Sequence, residues 1–150
     1  MAGFRNRIVV LVRFSYPALS GFATTATQSA VLFDPDRMHR RFRLFEHLTL
    51  PSLLAQRDGD FRTIFLVGEA MPADQTARLK AAIAPLPGAQ VVALPPMQHY
   101  AATQAAFGQV PDDGATHLTS VRLDDDDALD RGHVARLRAT SEGLHRVCGQ

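Results

Sequence analysis

The sequence predicts an α/β fold, a Rossmann-like and mostly parallel sheet with helices on both faces. Three observations lead there. The first two strand candidates, "RIVVLVRF" (Arg7–Phe14) and "FRTIFLVG" (Phe61–Gly68), are apolar without alternation, as strands covered on both faces are. Segments of helical periodicity separate the strand candidates. The order is β-α-β-α-β-α-β-α in one pass, which favours parallel pairing through helical crossovers. With 150 residues and no repeat, low-complexity tract or linker, the chain reads as one domain, 1–150.

Each element has a local reason. After the first strand, Ser15 to about Phe33 is rich in Ser, Thr, Ala and Gly, and reads as a long binding loop. Asp34 and Pro35 suit the N-cap and first position of a helix. Met38, Phe42, Phe45, Leu48 or Thr49, and Leu53 recur at helical spacing. Pro51 should kink that helix or begin a second one. "RDGD" turns the chain into the second strand, and "MPADQTARLKAAIAPL" (Met71–Leu86) reads as a helix. "AQVVAL" (Ala89–Leu94) is a third strand stopped by Pro95-Pro96, and "HYAATQAAFG" (His99–Gly108) a short helix. "PDDG" is a turn and "THLTSVRL" (Thr116–Leu123) the fourth strand. A last helix is expected over Ala128–Val147, weakened by Gly132 and Gly143.

Composition excludes several classes. Hydrophobic content of 46% with 21% charged residues argues against disorder. A net charge of +1 gives no electrostatic ground for binding nucleic acid or an anionic membrane. Lys80 is the only lysine, and the arginine excess reads as a base-composition bias rather than anion binding. The single Cys148 excludes an intrachain disulfide and fits a reducing compartment. The early run "IVVLV" is broken by Arg13. It is shorter than the roughly 7–15 residues of a signal core or the about 20 of a membrane span. A cytoplasmic protein without a transmembrane segment is expected.

"RLDDDDALD" (Arg122–Asp130) places four carboxylates directly after the fourth strand. In an extended chain Asp124 and Asp126 face one side, and Asp125 and Asp127 the other. Two carboxylates on one side suit a hard cation such as Mg²⁺ or Mn²⁺. The competing reading is a solvated helix start, with Asp127 as N-cap and its neighbours complementing the helix dipole. Unit charges 4 Å apart repel by about 4 kcal/mol at an effective dielectric of 20, so a partly enclosed run would need a cation. An EF-hand is excluded by Ala128 and Leu129 at the positions that need an oxygen ligand and Gly. A phosphate-transfer aspartate would follow the first strand, where Arg13, Phe14 and Ser15 stand. Arg37, Arg40, Arg41 and Arg43 could bind phosphate or an acidic membrane surface but read first as the solvent face of the first helix, and His99-Tyr100 could contact a diphosphate or sugar but reads first as loop-to-helix packing.

"VRFSY", "RFRLFEHLTLPSLLAQRDGDFRTIFLVGEAMP" and "SVRLDDDDAL" together resemble the rhamnosyltransferases, a bacterial glycosyltransferase family with the GT-A fold. The most specific piece is Ser52, Leu53 and Gln56 ahead of the second strand, followed by a strand ending in Leu-Asp-x-Asp-Asp. The resemblance implies a nucleotide-diphosphate sugar donor such as dTDP-rhamnose, a glycan acceptor, and Mg²⁺ or Mn²⁺ held at the Asp-x-Asp motif. Carried over, Asp126 falls where the metal is bound with Asp127 as an adjacent helper, Asp124 at the nucleotide ribose with metal contact, and Asp125 among the nucleotide-sugar contacts. Arg13, Phe14 and Ser15 fall where base and ribose lie. Glu69 substitutes for the acidic residue that ends the second strand in many such enzymes. Only 23 residues follow Asp127, so the acceptor half and its general base are expected to be missing; His133, Glu142 and His145 are not assigned that role. The alternative is a truncated, inactive nucleotide-binding or interaction module that pairs with a second copy.

Overall fold

The structure, a computed structural model, describes residues 3–19 and 25–149. Four parallel strands form one sheet in the order β3-β2-β1-β4, with β1 Asn6–Arg13, β2 Arg62–Gly68, β3 Ala89–Leu94 and β4 His117–Asp124. Helices α1 Thr25–Leu32, α2 Pro35–Leu44, α3 Leu50–Leu54, α4 Ala73–Ile83, α5 His99–Phe107 and α6 His133–Cys148 connect and follow them. The predicted Rossmann-like α/β class is the observed one. Among the described residues no helix is long and apolar enough to cross a membrane.

The continuous apolar run of β1 is explained by its two covered faces. Ile8, Val10 and Val12 join a core with Met38, Phe42, Leu53, Leu79 and Val134 from α2, α3, α4 and α6. Val9 and Leu11 pack with Ala102 and Ala106 of α5 on the other side. β4 is an edge strand, and its α5-side residues Leu118, Ser120 and Arg122 are exposed. Phe14, Phe42, Phe45 and Phe65 are fully buried, with successive ring centroids 4.9–5.5 Å apart and tilted or edge-on geometry. Each such ring buried contributes about 1.5–3 kcal/mol.

Two expectations are corrected. The loop read over Ser15–Phe33 contains α1; its residues 20–24 lie outside the described ones. The last helix starts at His133, not Ala128, so Asp127 is not an N-cap. Pro51 begins a second helical segment, one of the two outcomes expected of it: it stands in the first turn of α3, directly after a wide π turn, Phe45–Thr49. Proline has no N–H and its ring crowds the carbonyl four residues back. The turn accepts this because the Leu50 N–H already bonds the Phe45 carbonyl, five residues back. The same turn settles the register: Thr49 is buried and Leu48 exposed.

After β1 the chain crosses the carboxyl ends of β2 and β3. Tyr16 Oη donates to the Pro95 carbonyl at 2.6 Å, and Leu19 N–H to Met97 at 3.0 Å. This crossing needs Gly68: a Cβ there would lie 2.7 Å from Pro17 Cδ and 3.1 Å from Phe33 Cζ. Gly68→Ala should therefore cost about 1–3 kcal/mol by overpacking, read as a lower urea midpoint with an unchanged slope. A variant as stable as wild type would contradict the close crossing.

Candidate functional site

Strand order reverses between β1 and β4, and the last residues of the two strands, Arg13 and Asp124, are register partners. Open α/β sheets bind ligands beyond the carboxyl ends at such a reversal. A cavity of about 480 Å³ lined by Arg5, Arg7, Arg62 and Asp113 lies at the opposite, amino pole of the strands. Strand polarity therefore marks the candidate site better than cavity size does.

The aspartate run leaves β4 as a tight turn, with the Asp127 N–H donating to the Asp124 carbonyl at 3.2 Å. The turn sorts the four side chains. Asp125 points inward and is 1% exposed. Asp124 faces the mouth, 3.4 Å from an Arg13 guanidinium nitrogen. Asp126 is half-buried and Asp127 exposed.

Arg41 of α2 holds the turn. Its Nε donates to Asp125 Oδ2 at 3.3 Å, its Nη2 to Asp125 Oδ1, and its Nη1 to Asp126 Oδ2 at 2.8 Å. One helical turn earlier, Arg37 donates to the Leu32 carbonyl at 2.6 Å and to Ser15 Oγ at 3.1 Å. Arg37 and Arg41 thus lie on one face, i and i+4. The solvent-face reading holds for Arg40 and Arg43, which are exposed, and fails for these two. Ser15 has φ 53°, a left-handed conformation that costs a non-glycine residue about 1–3 kcal/mol. It bends the chain away from β1 while its hydroxyl stays in reach of Arg37 and the Met38 sulfur.

These arginines revise the electrostatic expectation. Arg13 pairs with Asp124, and Arg41 with both Asp125 and Asp126. Carboxylate repulsion alone no longer demands a cation. Burial pushes the Asp125 carboxyl up to about 6, against the pull of Arg41. Asp125 is thus a structural group whose oxygens are already engaged, not a nucleotide contact. Asp124 and Asp126 each engage one oxygen with arginine, leaving the other for a ligand. Among the described residues no three His, Cys, Asp or Glu side chains converge as a complete metal site. A partial, all-oxygen donor pair fits Mg²⁺, which takes one or two carboxylates and completes its shell with water and substrate phosphates.

The remaining predicted residues divide in two. Phe14 is fully buried against Phe42 and Phe45, so its ring is core and cannot meet a base. Ser15 is buried beneath the mouth, while Arg13 is open to it. Glu69 is exposed beyond β2, its N–H bonded to the Leu94 carbonyl at 3.0 Å. Among the described residues no hydrogen bond or ion pair joins it to the aspartates. Tyr100 points to solvent, but His99 Nε2 is buried without a partner among the described residues. Burial, then the charges of Arg122 and Arg13, lower the His99 pKa against the opposing charge of Asp124.

The Ser-Leu-x-x-Gln stretch acquires a physical role. Thr49 Oγ1 donates to the buried Asp125 carbonyl at 2.9 Å. Ser52 Oγ accepts the Leu129 N–H at 3.1 Å. Gln56 donates to the Asp130 carbonyl at 2.7 Å and accepts the Val134 N–H at 3.1 Å. Thr49, Ser52 and Gln56 form one rail along the π turn, α3 and the residues after it. The rail holds the segment from Asp125 to the first turn of α6, supplying a partner for an otherwise orphaned helix-start N–H.

Two outcomes follow from these contacts. Gln56→Leu should cost about 1–3 kcal/mol and speed hydrogen exchange at the Val134 amide; unchanged protection would refute the clamp. Asp125 has a folded pKa near 6 against 3.8 unfolded. The native state therefore binds the extra proton between those values, and this group's contribution to stability falls as pH rises from about 4 to 6. Measured against Asp125→Asn, wild type should lose up to about 3 kcal/mol across that window and stay level above it. A wild-type advantage that grows with pH would contradict this.

Comparison with known sequences identifies the family. No individual curated protein matches the chain. The family described as "Putative rhamnosyl transferase" matches residues 7–149, which span β1 through α6 and include every residue of the site. The chain belongs to this rhamnosyl transferase family.

Proposed function

We propose that the chain binds a nucleotide-diphosphate sugar, dTDP-rhamnose or a close relative, in the crevice beyond β1 and β4. It serves the transfer of that sugar to a cell-surface glycan acceptor, in the cytoplasm and with a divalent cation. The observation that carries this reading is the pair of carboxylates, Asp124 and Asp126, presented with open oxygens at the strand-order reversal in a chain of this family.

Asp126 and Asp124, helped by Asp127, would hold Mg²⁺ or Mn²⁺ together with the donor. The metal's contribution is to offset charge on the diphosphate leaving group. The chain's own groups do the rest. Arg13 stands at the mouth and adds positive charge for the donor's phosphates or ribose. Ser15 and the backbone of Phe14 shape the floor, and Glu69 bounds the β2 side. Asp125, Arg41 and Arg37 touch no donor and act as positioning residues. They keep the acidic turn in one conformation, so little ordering is needed on binding.

Thermal melting with Mn²⁺, dTDP-rhamnose, and both together tests this. Ligand about 100-fold above its Kd stabilises by about 2.7 kcal/mol, which is roughly 5–10 °C for a chain of this size. The shift should need both components and vanish in Asp126→Ala. No shift with any sugar nucleotide, with or without Mn²⁺, would overturn the reading.

A further inference from the structure

The helix that carries Arg37 and Arg41 has three differently used sides. Met38, Phe42 and Phe45 enter the core. Arg37 and Arg41 turn to the acidic loop. The third side, formed by Arg40, Arg43, Leu44, His47 and Leu48, lines a shallow depression of about 470 Å³. Leu44 and Leu48 are each 43% exposed there. None of the five lining residues is acidic. Among the described residues Arg40 and Arg43 make no ion pair, while their neighbour Glu46 turns away to Arg78 at 2.8 Å. The one carboxylate of α2 itself, Asp36, sits in its first turn, at the end away from the leucines.

From this arrangement we propose that the exposed side of α2 and the π turn rests on an anionic lipid surface, with Leu44 and Leu48 entering the headgroup–acyl boundary and Arg40 and Arg43 meeting lipid phosphates. The chemistry of the patch selects this occupant. Leucines ringed by cations, with no carboxylate between them, match a surface that is negative outside and apolar beneath. A second copy is a poor match, because a two-fold contact repeats the same patch and would bring the arginines of both copies together. The wide π turn is what leaves Leu48 outside while Thr49 goes in, so the patch and the site share one structural cause. The inference does not rest on the donor reading: it uses a different side of the helix, and its test contains no nucleotide.

Co-sedimentation of the chain with phosphatidylcholine vesicles, with and without phosphatidylglycerol, tests it. Binding should require phosphatidylglycerol and weaken with salt. Each of Arg40→Gln and Arg43→Gln should weaken partitioning about fivefold. Leu44→Ser with Leu48→Ser should weaken it while keeping the salt dependence. All these positions are exposed, so circular dichroism and melting should stay as in wild type, and Arg146→Gln on α6 should bind as wild type. No anionic-vesicle binding at low salt would overturn the proposal, as would binding unaffected by the four substitutions. A dimer in sedimentation velocity that Leu44→Ser dissolves would also overturn it, because the leucines would then cover each other; capture of an acidic protein without vesicle binding would do the same.

Discussion

The buried ion pair between Arg41 and Asp125 joins the two halves of the candidate site. Desolvating two charges costs several kcal/mol per ion, which mutual attraction offsets only when the geometry is good and the remaining valences are filled. Here both carboxylate oxygens face the Nε–Nη2 edge of the guanidinium, and its third nitrogen, Nη1, reaches Asp126. The pair spans 84 residues of sequence and ties α2 to the end of β4. Once Asp125 is drawn in, the tight turn leaves Asp124 exposed and Asp126 half-exposed on Arg41.

The helix behind the pair is built for this task. Its π turn spends one extra residue, and that residue's consequence is the inward Thr49. From there the polar rail of Thr49, Ser52 and Gln56 takes backbone groups of the acidic loop that have no helix or strand to bond. A loop of this kind would otherwise expose or strand its N–H and carbonyl groups. Its order therefore comes from α2 and α3, far away in sequence, and only partly from its own residues. The proposed donor crevice, where the helix and β4 meet, is assembled from both.

Much of the fold was legible. Continuous apolar runs marked β1 and β2, because burial on both faces leaves no alternation, and Asp34-Pro35 marked the start of α2 through local capping chemistry. α1 was missed because its Ser and Thr residues read as loop, although Ala and Leu favour a helix there. The start of α6 was misplaced because four aspartates imitate a helix N-terminus. What actually delays the helix is the clamp of Ser52 and Gln56, a contact across 77 and 78 residues that no local pattern contains. The acidic run at the end of β4 was legible as the proposed site. Its arginine partners were not, since a one-dimensional pattern cannot tell Arg41 from Arg40 until the core side of the helix is fixed by Met38 and Phe42. Phe14 was misjudged for the same reason: its place at a strand end suggested ligand contact, while three-dimensional packing places it among Phe42 and Phe45.

The claim on which the functional reading turns is that donor and cation meet at the carboxyl ends of β1 and β4. Paramagnetic broadening of backbone amide signals by Mn²⁺ in the presence of dTDP-rhamnose addresses it directly. The expected result is selective loss of signal at Arg13–Ser15 and Asp124–Ala128, with Gly88 and Gly114 at the amino pole unaffected. Broadening confined to the amino pole, or none with donor present, would contradict it.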